Sequence, residues 1–164
     1  MTNKIVAIQG NHPSKLNPKT DTSVFLSNEI QKKNYRIFYY DPKNLSILDS
    51  KVIAEGFFIN FNYNNKKFYK ILKKQKLNLT KCNYILIRQD PPFNLEYIST
   101  TYILETIKHK VKIINNPTSI RNISEKLYSV KYQKFMPNTI FTHNIEEIKN
   151  FFKKNKYVII KPIH

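Results

Sequence analysis

Apolar and polar positions along this chain fall into blocks, and each block carries its own period. KIVAIQG (residues 4–10) is an unbroken apolar run closed by a glycine, the pattern of a strand buried on both faces. After a loop with two prolines, Asp21 or Thr22 is placed to cap a helix through SVFLSNEIQKK, with Val24, Phe25, Leu26 and Ile30 available for its buried side. YRIFYYD is a second strand, ended at Asp41-Pro42. This β-loop-α-β order favours a parallel pair joined by a right-handed crossover.

From Leu45 to Phe61 the apolar residues break into LSIL, KVIA and FFINF, separated by Asp49-Ser50 and Glu55-Gly56, which predicts a small antiparallel excursion with tight turns. The lysine-rich KKFYKILKKQK reads as amphipathic helix or linker, with Phe68 and Tyr69 packing onto the domain. YILIR (residues 84–88) is a third strand, and Asn94 caps a helix through LEYISTTYILETIKHK. VKIINNP is a fourth strand closed by Pro117. The alternation predicts an open, mostly parallel α/β sheet. Beyond Pro117 the pattern changes: a helical turn at residues 119–122, a helix in SEKLYSVKYQKF with Ser124 near its start, a turn entering a strand in MPNTIFTHN, a helix in IEEIKNFFKKN, and an apolar strand in YVIIKPIH.

Composition narrows the function classes. With 164 residues the chain has room for one domain, or one domain and part of another. Its apolar runs are far shorter than the roughly 18–20 residues that span a bilayer, and its start lacks a signal-peptide pattern, so the expectation is a cytoplasmic protein without a membrane partner. Cys82 is the single cysteine, which excludes an internal disulfide or a cysteine-built metal site and suits a small residue at the edge of a core. The net charge of +17 raises the question of a nucleic-acid partner. Among 28 basic residues, however, only Arg36, Arg88 and Arg121 are arginines, and the chain is rich in Asn, Ile, Tyr and Phe. Those types have A- and T-rich codons, so a biased genome yields this composition without selection for a polyanion. The clusters at Lys66-Lys67, Lys73-Lys74 and Lys153-Lys154 read as solvated faces and loop tips. A basic α/β module that binds nucleic acid is the disfavoured alternative.

Two places can carry chemistry. Open parallel sheets bind ligands outside the carboxyl ends of their strands, near the point where strand order reverses. Arg88 and Asp90 stand at such an end, with Pro91-Pro92 stiffening the loop behind them. A guanidinium there suits bidentate capture of a carboxylate or phosphate; the plain alternative is an Arg88–Asp90 ion pair that finishes the strand. Lys161 ends an apolar strand before a proline, and Lys126 follows a helix start; either can act as a point charge for nucleotide phosphates or be an ordinary surface residue. Gly10 and Gly56 are the only glycines, so no glycine-rich phosphate loop is present. His12, His109, His143 and His164 show no ligand spacing.

The blocks ILIRQDPPFNLEYISTTYILE, INNPTSIRNISEKLYS, MPNTIFTHN and VIIKPI, with the opening TDTSVFLSNEIQKKNYRIFYYD, resemble the bacterial glutathione synthetases of the ATP-grasp carboxylate–amine ligases. The resemblance runs over nearly the whole chain and is weakest at residues 45–81. It implies an enzyme that joins γ-glutamylcysteine to glycine with ATP and magnesium through an acyl phosphate, with no catalytic residue in this stretch. It also implies an amino-terminal, Rossmann-like substrate domain over residues 1–121 and the start of an α+β ATP-grasp region over 122–164. Arg88 and Asp90 are then expected at the peptide substrate, and Lys126 and Lys161 at the ATP phosphates. In the family the KP pair leads into a glycine-rich lid and the magnesium ligands, so the expectation is an amino-terminal fragment, inactive alone, whose metal ligands lie beyond residue 164. The family also leans towards a homo-oligomer. Another ATP-grasp ligase with a different acid substrate is the nearest alternative.

Overall fold

The computed structural model describes residues 4–62, 65, 67–124 and 126–163. Lys66, Glu125 of the EKL block and His164 lie outside them. The chain separates into two compact units, residues 1–121 and 122–164.

The first unit is an α/β sheet. β1 (Ile5–Gln9) is buried along its whole length, because it pairs in parallel with β2 (Arg36–Tyr40) on one side and β6 (Tyr84–Ile87) on the other. β6 pairs in parallel with β7 (Lys112–Ile114), giving a parallel core β2-β1-β6-β7. Alternate residues of β1 serve opposite faces. Ile5 and Ala7 join Phe38, Tyr40, Ile85 and Leu104 in one cluster, and Val6 and Ile8 join Val24, Ile37 and Tyr39 in the other. Val24 belongs to α1 (Thr22–Lys32) and Leu104 to α2 (Leu95–Glu105), so the helices cover opposite faces. Both begin as the sequence predicts: Asp21 Oδ1 accepts from the Ser23 N–H at 2.7 Å, and Asn94 Oδ1 from the Tyr97 N–H at 3.0 Å. Cys82 is buried in the first cluster, and burial pushes its thiol up to about 12, which keeps it protonated and unreactive.

Three antiparallel strands extend this core, and here the structure corrects the sequence reading twice. β3 (Leu45–Leu48) and β4 (Lys51–Phe61) form the expected hairpin, with Asp49 and Ser50 both at positive φ as a two-residue turn of mirror-image type requires. Glu55-Gly56, however, is no turn. β4 runs through it without interruption, pairing first with β3 and then with β2. Gly56 is there for close approach: a Cβ on it would stand 2.3 Å from the Tyr39 carbonyl oxygen. The lysine-rich segment is β5 (Tyr69–Asn78), neither helix nor linker, paired antiparallel with β4. Its period is hidden by a bulge, since Phe58 faces Lys73 while Ile59 faces Ile71 and Leu72 is left over. Lys70, Lys73, Lys74 and Lys76 are exposed on this edge strand, where charge discourages pairing with another chain. α2 ends at Glu105, short of the predicted run to Lys110. α3 (Pro117–Asn122) follows β7.

In the second unit, α4 (Ile145–Asn155) is the predicted helix, capped by Asn144. The expected helix at residues 124–135 is instead a tight 3-10 stretch (Leu127–Phe135), kinked where Tyr132 leaves helical geometry. Val130, Tyr128 and Tyr132 are weak helix formers, and the Ser129 hydroxyl bonds the Lys126 carbonyl at 2.5 Å, competing with a regular helix. The strands expected in MPNTIFTHN and YVIIKPIH are not formed among the described residues. A strand exists only through a ladder partner, and neither segment has one here. No described residue from 122 to 163 is buried; Tyr157, Ile159 and Ile160 are 93, 85 and 76 % exposed.

Candidate functional site

β1 hands the chain through α1 to β2 on one side, and β6 hands it through α2 to β7 on the other. The carboxyl ends of β1 and β6 therefore diverge into a crevice at the point where strand order reverses. Its floor is pinned by backbone bonds: Arg88 N–H to the Gln9 carbonyl at 2.7 Å and Gly10 N–H to the Tyr40 carbonyl at 3.1 Å. Gly10 also makes room for Tyr39, whose hydroxyl lies 2.6 Å from where a Cβ would stand and donates to the Asn11 carbonyl at 2.8 Å. The Asn11 amide then donates to Asp90 Oδ2 at 2.8 Å, tying together the loops that follow β1 and β6. Burial, reinforced by the Asp21 and Asp90 carboxylates, pushes the Tyr39 phenol well above its ordinary value, so it remains a donor.

Arg88 and Asp90 are close in sequence but serve different partners. The Arg88 guanidinium donates through Nε to Ser23 Oγ and through Nη2 to Thr22 Oγ1, both at 3.1 Å, which fastens it to the first turn of α1. No ion pair joins it to Asp90 among the described residues. Asp90 lines a cleft of about 670 Å3 whose walls also include Asn11, Lys15, Asp41, Lys43, Gln89, Pro91, Pro92, Glu96, Tyr97 and Thr100. Arg88 is not part of that wall. Sequence reasoning missed Asn11, Lys15, Lys43 and Gln89. Lys15 and Lys43 each sit in a single 3-10 turn started by a proline after a parallel strand, Pro13 after β1 and Pro42 after β2. A proline-turn-lysine at a strand's carboxyl end was the available signal.

A polar network runs beneath the cleft. Tyr40, fully buried, donates from its hydroxyl to Gln9 Oε1 at 3.1 Å. Gln9, also fully buried, donates from Nε2 to Gln89 Oε1 at 2.5 Å, and Thr100 Oγ1 approaches the same oxygen at 3.4 Å. Burial holds the Tyr40 phenol protonated, far above its ordinary value.

Within the second unit, Lys126 and Lys161 line one groove of about 740 Å3 together with Met136, Ile140, Phe141, Ile148, Phe151 and Ile160. Lys126 is half-buried and its Nζ lies 3.4 Å from the Ile163 carbonyl; Lys161 is exposed. Two cations on a groove with apolar walls suit a ligand with an apolar ring and an anionic tail. Among the described residues no three of His, Cys, Asp and Glu come together as a metal site. No helix among them is long and apolar enough to cross a membrane.

Residues 5–121 match the family model described as prokaryotic glutathione synthetase, N-terminal domain, and residues 125–164 match the one described as prokaryotic glutathione synthetase, ATP-grasp domain. The chain belongs to the prokaryotic glutathione synthetase family. Its curated relatives include the glutathione synthetases of Mesorhizobium japonicum, 35% identical over 97% of this chain and 51% of that protein, and of Wigglesworthia glossinidia brevipalpis, 37% identical over 92% and 48%. That of Buchnera aphidicola from Acyrthosiphon pisum is 36% identical over 90% and 47%. The chain thus spans about half the length of the glutathione synthetases it matches. The family is one of ligases. The cleft at the end of the parallel strands falls in the stretch matched by its N-terminal domain, and the two-lysine groove in the stretch matched by its ATP-grasp domain.

Proposed function

We propose that this chain supplies the peptide-binding domain and the first part of the nucleotide-binding region of a ligase that joins γ-glutamylcysteine to glycine at the expense of ATP. The peptide occupies the cleft outside β1 and β6. A γ-glutamyl group carries both an ammonium and a carboxylate, and the cleft offers both signs of charge, Lys15 and Lys43 against Asp90 and Glu96. Asp90, fixed by Asn11, receives the ammonium. Arg88 acts from the flank: with Nε and Nη2 held by Ser23 and Thr22, it keeps the first turn of α1 against the loop after β6 and contributes positive potential for a substrate carboxylate.

ATP is taken as a substrate by the groove of the second unit, Lys126 and Lys161 holding its phosphates and the apolar walls its base. Bound there, it supplies the phosphoryl group that activates the peptide carboxylate as an acyl phosphate for attack by the glycine amine. Lysine point charges at such a position offset the negative charge that develops on the transferring group. The observation that carries this reading is the meeting of Lys126 and Lys161, 35 residues apart in sequence numbering, on one groove within the stretch matched by the ATP-grasp domain.

Calorimetric titration of the chain with γ-glutamylcysteine tests it. Binding is expected, with glutamylcysteine joined through the α-carboxyl bound more weakly. Equal affinity for the two peptides, or none for either, would sink the assignment.

A further inference from the structure

The network beneath the cleft has a direction, and the direction ends on Gln89. Tyr40 is fully buried and its hydroxyl has one partner among the described residues, Gln9 Oε1 at 3.1 Å. A buried O–H that cannot ionise must donate. Gln9 is therefore obliged to turn its carbonyl oxygen to Tyr40, which leaves its Nε2 facing Gln89. An N–H2 group there requires an acceptor, and Gln89 presents Oε1 at 2.5 Å. Thr100 approaches the same oxygen at 3.4 Å while bonding the Tyr97 carbonyl at 2.8 Å. Two glutamines whose amides are otherwise free to flip are thus oriented by one phenol. Reversing both leaves the Tyr40 O–H proton without an acceptor in the core, a penalty that keeps the flipped arrangement below about one molecule in ten.

The remaining end is Gln89 Nε2. It has no hydrogen-bond partner among the described residues, yet no buried side-chain nitrogen or oxygen there lacks one, so this amide nitrogen is open to solvent. Gln89 lines the cleft between Asp90 and Thr100. We propose that Gln89 is a substrate-binding residue that donates from its oriented amide to a carbonyl or carboxylate oxygen of the bound peptide, with Gln9 and Tyr40 as the positioning residues behind it. The proposal rests on the assignment of the peptide to this cleft. A neutral donor suits the place: Asp41, Asp90 and Glu96 attract the ammonium, Lys15 and Lys43 the free carboxylate, and an uncharged N–H2 meets an oxygen without adding to either sign.

The test uses the full chain labelled with 15N, titrated with γ-glutamylcysteine. The Gln89 side-chain N–H2 resonances are expected to shift on saturation, which a purely structural glutamine does not require. Q89E, which puts an acceptor where the donor was, is expected to weaken binding at least tenfold, and Q89M to a similar extent. Y40F keeps the ring, removes the hydroxyl and frees the two amides to flip; it is expected to weaken binding severalfold and to broaden or split the Gln89 signals. Unmoved Gln89 resonances at saturation overturn the proposal, as do Q89E and Q89M variants that fold and bind like wild type. The resonance measurement needs no variant, so a variant that fails to fold leaves the test intact. If the wild-type chain binds no γ-glutamylcysteine, the assignment of the cleft fails and takes this inference with it. If it binds and the Gln89 variants match it, this inference alone falls.

Discussion

Asn11 and Asp90 meet across the crevice between β1 and β6, the Asn11 amide donating to Asp90 Oδ2 at 2.8 Å. The bond is exposed, so its worth to folding is small, on the order of 0.5–1 kcal/mol. Its worth to ligand binding is larger if Asp90 receives the substrate ammonium, because a carboxylate already held in place loses less freedom on binding. N11A, D90A and the double variant are therefore expected to lie within about 1 kcal/mol of wild type in urea denaturation. D90A and the double variant lose γ-glutamylcysteine affinity tenfold or more, and N11A a smaller part of that. Additive effects of the two substitutions on affinity would show that the bond does no positioning.

The two glycines make a ranking prediction. A methyl group on Gly56 collides with the Tyr39 carbonyl at 2.3 Å and Tyr40 Cβ at 2.8 Å, atoms of the neighbouring strand that cannot move without separating β2 from β4. On Gly10 the nearest atom is the Tyr39 hydroxyl at 2.6 Å, the far end of a side chain. G56A is expected to cost about 3 kcal/mol or more, the upper range of overpacking. G10A costs closer to 1 kcal/mol, that of the displaced bond to the Asn11 carbonyl. Denaturation midpoints in urea check the order, and G10A at least as damaging as G56A contradicts it.

A pH dependence follows from Glu105 at the end of α2. Hydrogen bonds from Lys108, Thr118 and Arg121 hold its carboxyl at about 2, below the ordinary 4.5. Because the folded value is depressed, the stabilisation is fully present above about 4.5 and is lost as pH falls towards 2. The stability difference between wild type and E105Q is expected to be constant from neutral pH down to about 5 and to shrink below 4.5. A difference that stays level down to pH 2.5 removes the assignment.

The sequence was most legible where one period governs a whole element. β1, β2 and β6 were readable as apolar runs between parallel neighbours, and Asp21 and Asn94 marked the helix starts. The buried sides of those helices were not: α1 buries Ser23, Val24 and Ser27 and leaves Phe25 and Leu26 exposed, and α2 buries Thr100, Thr101 and Leu104 and leaves Leu95 and Tyr102 exposed. The sequence was misread where a residue's role depends on a distant partner. Gly56 looks like a turn, yet it is small because the Tyr39 backbone crosses it. Leu72 looks like part of a helical stripe, yet it is the extra residue of a bulge. In the cleft, the place of Asp90 was readable from its strand end, but that of Gln89 was not: its setting depends on Gln9 and, through it, Tyr40, by bonds across 80 and 31 positions that only strand order reveals. The apolar run YVII misled for a related reason, since apolar residues make a strand only where another strand takes up their backbone bonds.

Lys126 and Lys161 provide the test that separates the two sites. Both line the groove of the second unit, and neither belongs to the cleft that holds Asp90 and Gln89. If they hold nucleotide phosphates, K126A and K161A each weaken binding of a fluorescent ATP analogue by about tenfold, roughly 1.4 kcal/mol, and leave γ-glutamylcysteine affinity unchanged. Lys161 is exposed, so screening should govern it: its contribution falls as salt is raised, and K161R retains most of it. Lys126 is half-buried against the Ile163 carbonyl, so K126R disturbs its packing and recovers less. Measuring both affinities at two ionic strengths reads out every arm. Loss of peptide binding in K126A or K161A, or nucleotide binding untouched by either, would show that these lysines do not form the phosphate site.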